Sequence, residues 1–394
     1  MPLVAAITLE PLTIASYGFA ALAVTSCLYF TLAAVASLKT RRVLATDTRP
    51  PVSVLIPLCG AEPRLKANLE AALGALGAED QLVVGAADPV DPALALARTL
   101  TDVRLEVVAG TPSSATNRKV ATLVALEPRA RHDVIVLVDS DVRLDQTLLS
   151  RLASAAAPGV ATALYRGVPA GSLASRLEAL AINTDFVPSV LVADMLSGGI
   201  EFALGAANAI RRDTLEAIGG FASLGEVLAD DHQLGRRAVA AGFKVAIAPV
   251  CVPIVQESRL KETLARLLRW CRTYRVCQPA GYAATIFSHH GIFAACVATA
   301  LAPSLWPLLA VTVTVRLVTA LVAHVAIAGR EADLASLPLL PLRDLVGTAL
   351  FLLAWTGRTV TWRGRRFQVA RDGTLRSLET LTPEAPLLAA RGGR

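Results

Sequence analysis

The chain has 394 residues, is 54% hydrophobic and only 18% charged, and carries a formal net charge of +6. Soluble domains run nearer a quarter charged, so the apolar excess has to sit in segments that leave water. The basic residues are spread out and form no recognition module, which argues against a nucleic-acid partner. The six cysteines are scattered without a CxxC pair or a His-rich partner set, so nothing points to a zinc site, and the usage fits a reducing compartment.

From Pro11 to Leu38 no residue is charged, and Lys39, Arg41 and Arg42 follow at once. About 20 apolar residues cross a hydrocarbon core. The basic flank predicts an N-terminus outside and the next segment in the cytoplasm. The run is too long for a signal peptide and lacks a basic start. Residues 1–42 therefore read as an N-terminal anchor.

Residues 50–285 read as an α/β domain. Val52–Pro57, Gln81–Gly85, Val103–Val108 and Val134–Val138 are short β-branched runs bounded by turn residues. Arg64–Leu76, Pro92–Leu100 and Asn117–Leu126 carry apolar residues at helical spacing between them. This alternation predicts a mostly parallel sheet, whose ligands bind beyond the carboxyl ends of the strands.

Three acidic sites fall where that rule points. Asp88 and Asp91 follow the second strand and suit nucleotide hydroxyls, although turn and helix-cap chemistry accounts for them equally well. The run Val134–Val138 ends in Asp139-Ser140-Asp141. Alternation points both carboxylates the same way, a hard oxygen pair suited to Mg²⁺ or Mn²⁺ on a diphosphate. Asp230 and Asp231 open a helical run, and one of them is a candidate general base as well as a candidate cap. Asn117-Arg118-Lys119 opens a helix, where Lys119 could reach donor phosphates.

An amphipathic helix starts near Ser258 and runs to about residue 275. On it Arg266, Arg269 and Trp270 share one face, suited to a diphosphate and to a sugar or acceptor, or alternatively to lipid headgroups. Residues 286–357 form a second apolar region. Gly291–Gly329 is long enough for two crossings, with a break near Pro303 and Pro307. Leu334–Trp355, holding Arg343 and Asp344, reads as re-entrant or interfacial. The tail, residues 358–394, begins with the basic Trp362–Arg366 and is expected in the cytoplasm.

Together these residues resemble the signature of glycosyltransferase family 21, the ceramide glucosyltransferase-like enzymes and their bacterial hopanoid-associated relatives. That signature is three separated acidic sites followed by (Q/R)xxRW, matched here by Asp91 (with Asp88 nearby), Asp139, Asp231 and Arg266-Leu267-Leu268-Arg269-Trp270. The likeness extends to Pro57-Leu58-Cys59-Gly60, Asn117-Arg118-Lys119, Arg211-Arg212-Asp213 with Gly219-Gly220, and the basic tail. It implies a GT-A fold, a Rossmann-like catalytic domain flanked by transmembrane helices. It also implies a UDP-sugar donor, a divalent metal, inversion at the anomeric carbon, and a lipid acceptor in the bilayer of a bacterial inner membrane. Carried over by position, Asp139 and Asp141 meet metal and diphosphate. Asp88 or Asp91 meets the nucleotide, and Asp231 is the base. Arg269 and Trp270 bind donor phosphate and line the acceptor site. Phe186-Val187-Pro188-Ser189 stands where the animal enzymes carry a His-Pro pair, which leaves ceramide, a hopanoid polyol or another bacterial lipid as the acceptor. A processive polysaccharide synthase would carry Gln at position 266 and more membrane helices. A non-catalytic transport or scaffold protein would place its polar residues within broken membrane helices.

Overall fold

The computed structural model describes residues 11–39, 49–60, 62, 64–110, 115–255, 259–362, 365–370 and 373–378. Arg41, Arg42, Ser258 and Arg363, named above, lie outside them.

Seven strands form the central sheet: β1 (Val52–Leu58), β2 (Gln81–Ala86), β3 (Leu105–Ala109), β4 (Val134–Val138), β5 (Gly159–Val168), β6 (Ala207–Arg211) and β7 (Lys244–Val255). Their spatial order is β3-β2-β1-β4-β6-β5-β7. β1, β2, β3 and β4 run parallel, β5 pairs β7 in parallel, and β6 is antiparallel to both neighbours. β1, β2 and β4 are buried along their whole length, which is why they read as continuous apolar runs rather than alternating ones. Val52, Val54 and Ile56 face the cluster under Leu69 and Leu149, while Leu55 faces the one around Val120 and Leu123. β3 begins at Leu105, two residues after its expected start. Arg104 folds back onto Asp102 at 2.7 Å and onto the carbonyl of Leu76 at 2.9 Å, making a turn of residues expected to be strand.

Among the described residues, four helices are long and apolar enough to cross a membrane: Pro11–Leu38, Leu173–Ser197, Pro303–Glu331 and Leu334–Ala354. Leu173–Ser197 buries 67% of its apolar window against protein, where the others bury 33%, so it belongs to the catalytic core. The run Gly291–Gly329, long enough for two crossings, is divided at Ala302. Extended backbone at Ala302 ends the helix Gly291–Leu301 after 11 residues, about half the length a crossing needs. That helix continues Pro279–Phe287 across a 48° bend, and together the two are long and apolar enough for a broken span or a re-entrant loop. Leu334–Ala354, expected to be re-entrant or interfacial because of its charges, has the length of a span, and those charges are paired.

The pairing is a buried cluster. Arg316 donates to Asp344 at 2.7 Å and to Asp185 at 2.6 Å, and Arg343 bonds both carboxylates. Arg316 also lies over the Phe30 ring at 3.9 Å. Asp185 projects from a π-turn, Ile182–Phe186, set in the middle of the core helix. Ala33, Ala36 and Ile327 pack into the same cluster as Leu55 and Val83, so the apolar helices and the sheet share one core.

Residues 359–377 form a second, antiparallel sheet of β8 (Thr359–Trp362), β9 (Arg365–Val369) and β10 (Leu375–Ser377). It docks on the segment leading to Asp230. The amide of Leu375 donates to the carbonyl of Glu226 at 2.8 Å, and that of Leu228 to Gly373 at 3.1 Å. Leu228, Val360, Phe367, Val369 and Leu375 share a small core.

Candidate active site

Strand ends and helix starts converge at the carboxyl edge of the sheet. Asn117 caps the helix Arg118–Leu126 through the amides of Lys119 (3.0 Å) and Val120 (3.3 Å). Its own amide donates to the carbonyl of Val227 at 3.0 Å and to Asp230 at 3.3 Å. This cap aims Lys119 at the acidic residues: its ammonium lies 2.7 Å from Asp139 and 3.6 Å from Asp230. It also donates to the carbonyl of Gly205 at 3.4 Å. Burial works against a charged Lys119, but Asp139, Asp230 and Asp231 together raise its pKa.

The two adjacent acids at the start of the helix Asp230–Ala240 therefore differ. Asp230 is engaged by Lys119 and Asn117. Asp231 accepts only the amide of His232, at 2.8 Å, among the described residues. Burial pushes the Asp231 carboxyl up to about 7, with a further push from the Asp230 charge and partial relief from Lys119. A carboxyl poised near neutrality is suited to taking a proton. Burial likewise lifts Asp139 to about 6; Lys119 counters the lift and Asp141 adds to it.

Asp139 and Asp141 line the same cavity, and no group of three or more His, Cys, Asp or Glu able to hold a metal exists among the described residues. Two carboxylates at a strand end are a pair that suits a hard cation completed by phosphate oxygens and water. Their mutual repulsion is the kind such a cation relieves.

Asp91 caps the helix Pro92–Ala97 through Ala93 (2.9 Å) and accepts the amide of Gly60 (2.9 Å), tying the ends of β1 and β2 together. Asp88 bonds the amide of Val90 in a local turn. Both also line the cavity. The helix Leu260–Cys277 carries the RxxRW residues, and the structure separates their roles. Arg266 forms a two-pronged pair with buried Glu178 on the core helix. Arg272 and Arg275 donate to the carbonyls of Thr359 and Gly357, each at 2.6 Å. Arg269 makes no ion pair or side-chain hydrogen bond among the described residues, and desolvation lowers its pKa. It lines the cavity beside Trp270.

The cavity measures about 1030 Å³. It runs from Asp88, Asp139 and Asp231, past Trp270, to Tyr29, His290, Val346 and Phe351 on the apolar helices. Arg365 and Phe367 of β9 also reach it. Sequence reasoning missed Tyr165, Glu178 and the β9 residues, because only long-range packing brings them here. The stretch Asn117–Lys119 was the one local signal of the Lys119 bridge.

Among solved structures, a mannosyltransferase from Pyrobaculum calidifontis in complex with GDP-Man and Mn²⁺ matches 88% of this chain and 97% of its own at 20% identity, with a TM-score of 0.53. TarS 1–349 from S. aureus matches 83% and 98% at 14% identity and TM-score 0.37. The glucosyl-3-phosphoglycerate synthase of Mycobacterium tuberculosis matches 57% and 80% at 19% identity and TM-score 0.33. The first of these shows a shared GT-A-like fold. The model of glycosyl transferase family 21 matches residues 18–375, from the first apolar helix to the last strand of the second sheet. The chain therefore belongs to glycosyltransferase family 21.

Proposed function

We propose that this glycosyltransferase moves a sugar from a UDP-sugar to the hydroxyl of a membrane lipid, a ceramide or a hopanoid polyol, with inversion. The observation that carries the reading is the single cavity joining the carboxylates at the sheet edge to the apolar helices. A water-soluble acceptor would need only the first half of it; a lipid needs both.

Asp231 takes the proton of the acceptor hydroxyl while that oxygen bonds to the anomeric carbon and the sugar–diphosphate bond breaks on the opposite face. Its elevated pKa makes it a competent base near neutral pH. Asp139 and Asp141 would hold Mg²⁺ or Mn²⁺, which when bound neutralises charge on the leaving diphosphate. The fold relative from P. calidifontis was solved with Mn²⁺ and a nucleotide sugar, in keeping with that assignment. Lys119 steadies Asp139, and Arg269 offers its unpaired guanidinium to the donor phosphates. Trp270 lines the acceptor path, Asp88 or Asp91 reads the nucleotide, and Arg266 supports the site through Glu178.

On this reading residues 50–285 face the cytoplasm at a bacterial inner membrane. Residues 1–42 anchor them, the helix Leu260–Cys277 lies at the interface, residues 286–357 enter the bilayer, and the tail 358–394 returns to the cytoplasm.

The test is a membrane-fraction assay of a UDP-sugar panel against ceramide and bacteriohopanetetrol, with and without EDTA, read by mass spectrometry. A single-sugar lipid product lost with EDTA is expected. UDP release with a growing polymer and no glycolipid would move the assignment to a processive synthase.

A further inference from the structure

The peptide Leu204-Gly205-Ala206 crosses the site between its acidic groups. The carbonyl of Ala206 accepts the amide of Asp139 at 3.0 Å. The amide of Ala206 donates to the phenolic oxygen of Tyr165 at 3.1 Å. Tyr165 thereby uses its acceptor capacity on the backbone, and its own O–H proton has no acceptor among the described residues.

Gly205 lies against both Asp231 and Tyr165. A methyl built there would sit 2.9 Å from Asp231 Oδ2 and 3.4 Å from Tyr165 Oη. All three residues line the cavity. Asp231 Oδ2 and Tyr165 Oη therefore flank one point, close enough together for a single hydroxyl oxygen entering from the cavity to give a hydrogen bond to Asp231 and receive one from Tyr165.

Tyr165 is held for this position. The register of β5 against β7 shifts between Ala163 and Leu164, directly before it, an irregularity of the kind that re-aims side chains next to active sites. Its ring stacks on Phe186 at 5.3 Å, and Phe186 stacks on Tyr274 of the RxxRW helix at 6.0 Å. Burial raises the pKa of the phenol, so it keeps its proton as a donor.

We propose that Tyr165 is a catalytic residue that hydrogen-bonds the attacking hydroxyl oxygen between Tyr165 Oη and Asp231 Oδ2, holding one lone pair while Asp231 takes the proton. This rests on Asp231 being the base. The O–H of the nucleophile breaks toward Asp231 and its oxygen bonds to the anomeric carbon. Tyr165 donates throughout and keeps its proton, so no further proton acceptor is needed.

The experiment compares full-length wild type with Tyr165→Phe, Gly205→Ala and Asp231→Asn in detergent. Two channels are read: transfer from UDP-glucose to N-hexanoylsphingosine, and UDP release to water without lipid. UDP affinity and the thermal midpoint are measured on the same samples. Tyr165→Phe should lower kcat at saturating nucleophile by about tenfold, the cost of one hydrogen bond, with UDP affinity unchanged. Gly205→Ala should lose turnover in both channels while binding UDP, because its methyl crowds Asp231 Oδ2 and Tyr165 Oη. Wild-type kcat in Tyr165→Phe, in either channel where Asp231→Asn is inactive, overturns the role of Tyr165 alone. Wild-type turnover in Asp231→Asn overturns the base assignment instead. A drop in Tyr165→Phe accompanied by lost UDP affinity or a collapsed thermal midpoint would mark Tyr165 as a structural residue and also overturn the proposal.

Discussion

Lys119 lies 2.7 Å from Asp139 and 3.6 Å from Asp230, so one ammonium bridges the strand end that carries the DxD pair and the helix start that carries the candidate base. Its charge opposes the rise in pKa of both Asp139 and Asp231. Lys119→Met should therefore raise both further. The acidic limb of the kcat profile, measured from pH 5 to 9, should move to higher pH. An unmoved limb would remove Lys119 from the electrostatics of the base.

Asp231 has a second pH signature. Its folded-state pKa of about 7 lies above the ordinary carboxylate value of 3.8. Between those values the folded state holds a proton that the unfolded chain has lost, so the stability it contributes falls as pH rises through that window and is flat above it. Asp231→Asn should abolish transfer yet raise the thermal midpoint at pH 8, because the desolvated charge is removed. Little change is expected at pH 4. Equal midpoint shifts at the two pH values would contradict the cause given for the elevated pKa.

Asp139→Asn should weaken UDP binding in Mn²⁺ and leave the affinity in EDTA nearly unchanged, since it removes one of two hard donors. Calorimetry with and without the ion tests this directly. UDP affinity that is insensitive to Mn²⁺ in the wild type would dismiss the metal site.

Arg316 is 1% exposed and satisfies two buried carboxylates. Arg316→Met should destabilise the protein by about 3–5 kcal/mol, because two acids are left with Arg343 alone. Thermal unfolding in detergent is the measurement. A loss below the scatter of surface variants would mean that the cluster is solvated.

Much of the catalytic half was legible because it is local chemistry. β4 reads as a buried strand, and whatever follows a buried parallel strand stands at the ligand edge, so Asp139 and Asp141 could be placed from sequence. For Asp91 the sequence left capping and a nucleotide contact as equal readings; the cap is present, and the same side chain lines the cavity. The shared helical face of Arg266 and Arg269 was also legible, but not their division of labour. That depends on Glu178, 88 residues away on a helix whose apolar composition resembles a span. The pairing of Arg343 and Asp344 with Arg316 and Asp185 is equally non-local. Without it, charges in an apolar run argue against a full-length helix there.

Gly235 offers a test of how tightly the base is seated. A methyl at this position would come within 2.5 Å of the Phe202 backbone. Gly235→Ala must push the helix Asp230–Ala240 away from the loop ahead of β6, taking Asp231 with it. Turnover should fall far more than UDP affinity, since Asp139 lies on a different element. Full activity would show that the helix slides without moving its first turn.

The docking of β10 on Glu226 and Leu228 gives the chain an order of assembly. The segment in front of Asp230 completes its backbone pairing only with residues 373–375, which are synthesised after every apolar helix described here. The backbone pairing that flanks Asp230 is therefore the last part of this neighbourhood to be synthesised, after the apolar helices.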